Sequence, residues 1–423
     1  MASLIRFELK KIASKRVTQV AVAFVLLMLV VVSWLNISMQ YALDPDRVNE
    51  ELEGVAAIAQ QKENAEAVSG PITDEKATEV LRQFKAFIGE DGEISPEFQP
   101  NIYGEDVAAP SEDVTRYWEF HSVYGTYLSL ITGPYAPGYA LPVTIASRMD
   151  VSEALDLYGQ VDAKLQAKLA SDAGEFTYTE AERDFWTNKA KAVQTPVEYG
   201  YAEGWIDFLN MSQSLIFALL MVAIACAGVF NVEYRDRTDA VLLSTRLGKS
   251  RLPVAKVAAS IIVASVLYAV AAAVILGMPL ALFGPDGAGL PLQVKSLSNA
   301  YALSIAGASA VVCAVGYAAT LGLLGIVLAL SSRMRSSMGI LAIAAAIVLL
   351  PMFAPQVQSS LVNHVTYLFP YFALNPADLF GVVSYAAGPL VVEYPVVVCV
   401  LYLALFAVGC TLSIRWFGRH QVA

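Results

Sequence analysis

The residues best suited to chemistry in this chain lie between Glu233 and Lys256. The stretch reads Glu233-Tyr234-Arg235-Asp236-Arg237-Thr238-Asp239, then Ala240-Val241-Leu242-Leu243-Ser244-Thr245-Arg246, with Lys249, Arg251 and Lys256 beyond. Its chemistry is recognition. Thr238 is an N-cap type whose hydroxyl can accept from the open N–H groups of a helix over 239–245. Asp239 then stands at the positive end of that helix. Leu242 and Leu243 offer two apolar anchors. Arg246, Lys249 and Arg251 surround them with positive charge, which suits an acidic partner surface. The same basic residues also work as a topology signal, and spacing alone leaves both readings open.

Bond-making chemistry finds little support. Gly248-Lys249-Ser250 looks like the end of a phosphate loop, but that motif needs a glycine five residues earlier, and Leu243 stands there. No HExxH or GxSxG occurs, and His121, His364 and His420 are far apart. The four cysteines, Cys226, Cys313, Cys399 and Cys410, all fall in apolar segments and show no metal-ligand spacing. They read as small buried apolar residues.

The loop is positioned by membrane helices. An apolar segment over 17–39 is followed by a long acidic insert over 40–207. Five further apolar segments follow, near 209–232, 254–283, 300–331, 337–354 and 389–414. Each can cross a hydrocarbon layer of about 30 Å; the 300–331 segment is long enough to require tilt. The first exceeds a signal-peptide core, and no A-x-A site follows it. Basic residues outside the insert cluster at Lys10–Arg16, at Arg235–Lys256, at Arg333 and Arg335, and at Arg415 and Arg419. These clusters occupy every second gap between apolar segments. Cytoplasmic loops are enriched in Lys and Arg. The expected topology therefore has six crossings, both termini and the 233–253 loop cytoplasmic, and 40–207 outside the cell.

Composition agrees. The chain of 423 residues is 56% hydrophobic and 16% charged, where a soluble domain would carry about a quarter charged residues. The net charge of −10 averages an acidic exterior with a basic cytoplasmic rim. It argues against nucleic acid as a partner, while the basic rim suits anionic lipid. No Asp, Glu, Lys, Arg or His falls in mid-membrane, so no ion-coupling site is legible.

The insert, having no cysteine, cannot be a disulfide scaffold. Apolar periodicity predicts helices over 47–67, 73–89, 151–170 and 178–193. Aromatic residues crowd 117–139. Of these, Tyr117, Trp118, Tyr124 and Tyr127 are candidate substrate contacts; the plainer reading makes them the insert's core. Leu4, Ile5, Leu9 and Ile12 predict a short amphipathic helix on the inner leaflet. Residues 356–388 are too apolar for a loop and too broken by Pro370 and Pro376 for a crossing. A re-entrant or interfacial pair of short helices is expected there.

The loop resembles that of type-2 ABC exporter permeases. Their pattern is an acidic residue ending the second helix, a Gly-Thr pair, two leucines, a turn, an Arg, and a Lys entering the third helix. Glu233, Thr238, Leu242, Leu243, Arg251 and Lys256 match it; Arg237 replaces the usual Gly and Arg246 the common Pro. Tyr367-Leu368-Phe369-Pro370 and Asn375-Pro376 resemble the segment before the family's last helix. The resemblance implies an all-α membrane protein with six transmembrane helices and a mainly helical extracytoplasmic domain. It implies a cell-membrane, bacterial exporter subunit with no cofactor of its own, ATP and Mg being held by a separate ATP-binding subunit. That subunit would dock on Glu233, Thr238, Leu242, Leu243, Arg246 and Arg251, and a second permease subunit would complete a homo- or heterodimer. Apolar helix faces suggest an amphipathic peptide, lipid or drug as cargo. The alternative is a non-transporting sensor or assembly protein whose exterior domain binds a ligand.

Overall fold

The computed structural model describes residues 1–44, 47–98, 112–136, 141–152, 154–171, 174–235, 238, 245, 248–354 and 357–419. The chain is an all-α membrane protein, and it divides into two units. One comprises Met1–Ser33, Phe208–Met278 and Ser309–Ala423; the other comprises Trp34–Asp207 and Pro279–Ala308.

The first unit is built from apolar helices. Among the described residues, five are long and apolar enough to cross a membrane: Arg16–Ser38, Glu203–Arg235, Arg251–Leu282, Ile305–Ser331 and Tyr394–Gly418. A shorter apolar helix spans Ser337–Phe353 and occupies the place of the fifth expected crossing. Glu203–Arg235 and Ile305–Ser331 are mostly buried inside the chain, whereas the other three long helices are mostly uncovered. Val17, Val20, Phe24 and Leu27 of the first are all exposed, as lipid-facing side chains would be.

Small residues set how closely these helices approach. A Cβ built on Gly409 would come within 2.2 Å of the Gly325 carbonyl oxygen, so the last helix crosses Ile305–Ser331 backbone against backbone. Such contact needs residues without side-chain bulk. Gly316 plays a related part: the Tyr268 hydroxyl packs over it and donates to the Cys313 carbonyl at 2.7 Å.

Residues 357–393 hold three short helices, Ser360–Tyr367, Pro370–Ala373 and Pro376–Leu379, where the sequence suggested two. A hairpin of Ser384–Ala387 with Leu390–Glu393 follows. Side chains from the long helices satisfy the backbone here. Tyr394 donates to the Tyr367 carbonyl at 2.6 Å, Tyr402 to Leu368 at 3.0 Å, and Gln213 to Tyr371 at 3.2 Å. Broken helices among apolar spans require such partners, because hydrocarbon offers none.

The second unit is mainly helical. Thr73 caps Asp74–Lys85, its hydroxyl accepting from the Lys76 N–H at 3.2 Å. Thr179 and Glu182 form a reciprocal capping box on Glu180–Ala190. The expected helix over 47–67 is corrected: Arg47–Glu53 is a strand paired antiparallel with Tyr41–Asp44, and the helix begins only at Gly54. Gly54 has φ +58°, a left-handed conformation that other residues rarely adopt, so the chain turns there from strand to helix. The core gathers Phe84, Phe87, Tyr117, Tyr127 and Ile131 around Tyr199 and Leu297. Leu297 comes from between the third and fourth crossings, so 279–308 completes this domain. Tyr201 donates to the Phe283 carbonyl at 3.0 Å, Trp205 to Pro285 at 3.1 Å, and Lys62 pairs with Asp286 at 2.8 Å.

Candidate functional site

The loop after the second crossing is anchored by a buried charge network in the first unit. Glu233 sits near the end of the second membrane helix and is 3% exposed; Lys256, in the second turn of Arg251–Leu282, is 0% exposed; Glu8, on the N-terminal helix Ala2–Ala13, is 2% exposed. The Lys256 ammonium donates to Glu233 Oε1 at 2.8 Å, Glu8 Oε2 at 3.1 Å and the Val229 carbonyl at 2.9 Å. A lysine has three N–H donors, and all three are matched. Lys11 reaches the same Glu233 oxygen at 2.6 Å. The other oxygen, Oε2, accepts from the Thr238 hydroxyl at 2.9 Å, and the Thr238 N–H donates to the Glu233 carbonyl at 3.0 Å.

Two carboxylates and two ammonium groups thus cancel in charge. Burying ions costs several kcal/mol each unless geometry and hydrogen bonding are good, and here every strongly buried member has close partners. Lys15 lies alongside, its ammonium within 2.8 Å of where a Gly228 side chain would begin. Burial first, then the Lys11 charge, hold the Lys15 pKa below the usual lysine range.

Neighbouring helix ends lock onto the same place. Ser331 accepts from the Phe230 and Asn231 N–H groups at 3.0 and 3.3 Å and donates to the Ala227 carbonyl at 2.9 Å. Asn231 and Ser337 exchange hydrogen bonds at 2.9 and 3.0 Å. Phe417 packs on Phe230 and Tyr234. The N-terminal helix, the start of the 233–253 loop, the turn after Ile305–Ser331 and the end of the last helix therefore meet in one cluster. This geometry can transmit force: a load on the loop near Thr238 reaches Glu233, and through it three helices. A family model described as ABC-2 family transporter protein matches residues 2–380. The chain belongs to the ABC-2 transporter family. No curated protein and no solved structure matches it.

As an ABC-2 transporter, the chain is a multi-pass membrane transport component, and the family implies an ATP-binding partner. Of the residues that sequence assigned to docking, Glu233 and Thr238 are brought together, and Arg251 is exposed at the start of its helix. Leu242, Leu243 and Arg246 lie outside the described residues. The candidate substrate contacts separate. Tyr117 and Tyr127 are buried in the core of the second unit, Tyr124 stacks on Phe120 at 5.0 Å, and Trp118 lines a cavity.

Sequence reasoning did not assign Glu8 and Lys11. A signal for Glu8 existed: it lies three residues after Ile5 and four before Ile12, so all three share one face of the N-terminal helix. An acid on the apolar face of an amphipathic helix asks for a buried cation.

Proposed function

We propose that this chain is the membrane-spanning subunit of an ATP-driven exporter, and that a separate ATP-binding subunit docks on its 233–253 loop. The observation that carries this reading is the Glu8–Lys11–Glu233–Lys256 network. It ties the root of the loop to the N-terminal helix and to the second and third membrane helices, in a chain whose family works with an ATPase. A docking loop must be stiff at its root, since work done by the ATPase would otherwise be lost in bending. The apolar pair Leu242 and Leu243, followed in sequence by Arg246, Lys249 and Arg251, supplies the docking surface, and Glu233 braces it. The termini and this loop face the cytoplasm and 40–207 lies outside. A second permease subunit pairs through a membrane face such as the exposed side of the first helix. The cargo is amphipathic or hydrophobic, a peptide, lipid or drug. ATP and Mg belong to the partner.

Purification of the full chain from its own membrane in mild detergent tests the pairing. An ATP-binding subunit should elute with it in equal amounts, and a cysteine at Thr238 should crosslink to that subunit. A chain that purifies without any ATP-binding protein contradicts the reading.

A further inference from the structure

The second unit contains a cavity of about 880 Å³ that the docking account does not use. Tyr41, Trp118, His121, Tyr199 and Tyr201 are among its lining residues, and so is Glu203. The remaining lining is apolar, hydroxyl or amide. Among the described residues of this lining, Glu203 is the one carboxylate, and neither Lys nor Arg is present. Although the His121 ring is exposed, desolvation by the protein around it holds its pKa below the ordinary 6.5, so it is uncharged at neutral pH.

The surroundings do not cancel the negative charge. Asp207 stands one helical turn beyond Glu203 and is 7% exposed; its Oδ1 accepts from the Asn36 amide, while its Oδ2 is buried without a hydrogen-bond partner. Lys295 is close enough to interact electrostatically with both acids, which leaves two carboxylates to one ammonium. Lys62 lies 5.8 Å from the Tyr201 ring, but Asp286 already neutralises it at 2.8 Å. The Glu203 side chain makes no hydrogen bond or close ion pair with any described residue.

A concave, largely preformed site with aromatic walls and a few convergent polar groups is the usual form of a small-molecule pocket. Aromatic faces attract cations, more strongly once water is displaced. The Glu203 carboxylate, which shares its one cationic neighbour, Lys295, with Asp207, supplies the counter-charge.

We propose that this cavity binds an organic cation with an apolar body, held by Glu203 as counter-ion and by the rings of Trp118, Tyr41 and Tyr199. The site stands whether the cation is cargo or a signal, and so independently of ATPase docking.

Tetraphenylphosphonium and tetraphenylborate share shape and apolar surface and differ in charge. Binding of each to the full chain in nanodiscs, corrected for empty discs, separates a cation site from a greasy one. Saturable binding of the phosphonium and none of the borate is expected. Glu203→Gln, which keeps size and shape, should weaken phosphonium binding by about tenfold, at the low end for loss of a partly buried charge partner. Trp118→Ala should weaken it as well. Equal binding of both probes by the unaltered chain overturns the proposal without any variant. So does a normally folded Glu203→Gln chain that binds the phosphonium as tightly as before.

Discussion

The Lys256 ammonium lies 2.8 Å from Glu233 Oε1, joining the start of the third membrane helix to the end of the second in a place where neither side chain meets water. Removing one member of a buried pair strands its partner's charge, which typically costs about 3–5 kcal/mol. Lys256→Met should therefore lower the melting temperature of the detergent-solubilised chain sharply. Glu8 would be the residue left without a cation, since Lys11 still reaches Glu233. Adding Glu8→Gln should then recover much of the lost stability. A double variant no more stable than Lys256→Met would show that Glu8 is not an energetic partner of Lys256.

Gly409 and Gly325 make a second test possible. A methyl on Gly409 would meet the Gly325 backbone at 2.2–2.7 Å, and backbone cannot rotate away as a side chain does. Gly409→Ala should destabilise by about 1–3 kcal/mol through overpacking. Gly277→Ala is the control, because nothing lies within 4 Å of its Cβ. Melting curves of the two variants should differ clearly; equal curves would rule out the close crossing.

In the second unit, the Tyr158 hydroxyl donates to the Ile72 carbonyl and accepts from the Val197 N–H, both at 2.7 Å. Ile72 and Val197 are both buried. Tyr158→Phe leaves two buried backbone groups without this partner, at about 1–3 kcal/mol for each group left unsatisfied. Hydrogen exchange should show faster exchange at Val197 and around Ile72, with little change in the helices of the first unit. Unchanged protection at Val197 would contradict the bond.

Much of the membrane architecture could be read from the sequence, because the hydrophobic patterns there are long and carry one dominant signal. The helices over 74–85 and 180–190 were legible for a similar reason: each carries a local apolar repeat. The strand over Arg47–Glu53 was not. Val48, Leu52, Val55 and Ile58 follow helical spacing, but Gly54 adopts a left-handed turn that splits the run in two. Nor did local pattern reveal that 279–308 joins the insert, since Asp286 finds its partner Lys62 224 residues away and Leu297 joins a core drawn from the insert. At the candidate site, Glu233, Thr238 and Lys256 stood out through the resemblance to the family's loop pattern. Their mutual contacts and the Glu8 partner did not, because buried charge pairing is a long-range property.

Docking of an ATP-binding subunit on the 233–253 loop would seat Leu242 and Leu243 against that subunit. Replacing Leu242 and Leu243 together by Asp places charge where apolar anchors should be buried. Loss of such anchors typically costs about 2 kcal/mol or more, roughly thirtyfold in affinity. The decisive measurement is ATP hydrolysis by the reconstituted complex in nanodiscs, alongside co-purification of the ATP-binding subunit, with the melting temperature of the permease as a folding control. Both ATPase association and stimulated hydrolysis should be lost while the permease melts as before. A normally folded double variant that keeps both would reduce the loop to a topology signal and rule out docking through Leu242 and Leu243.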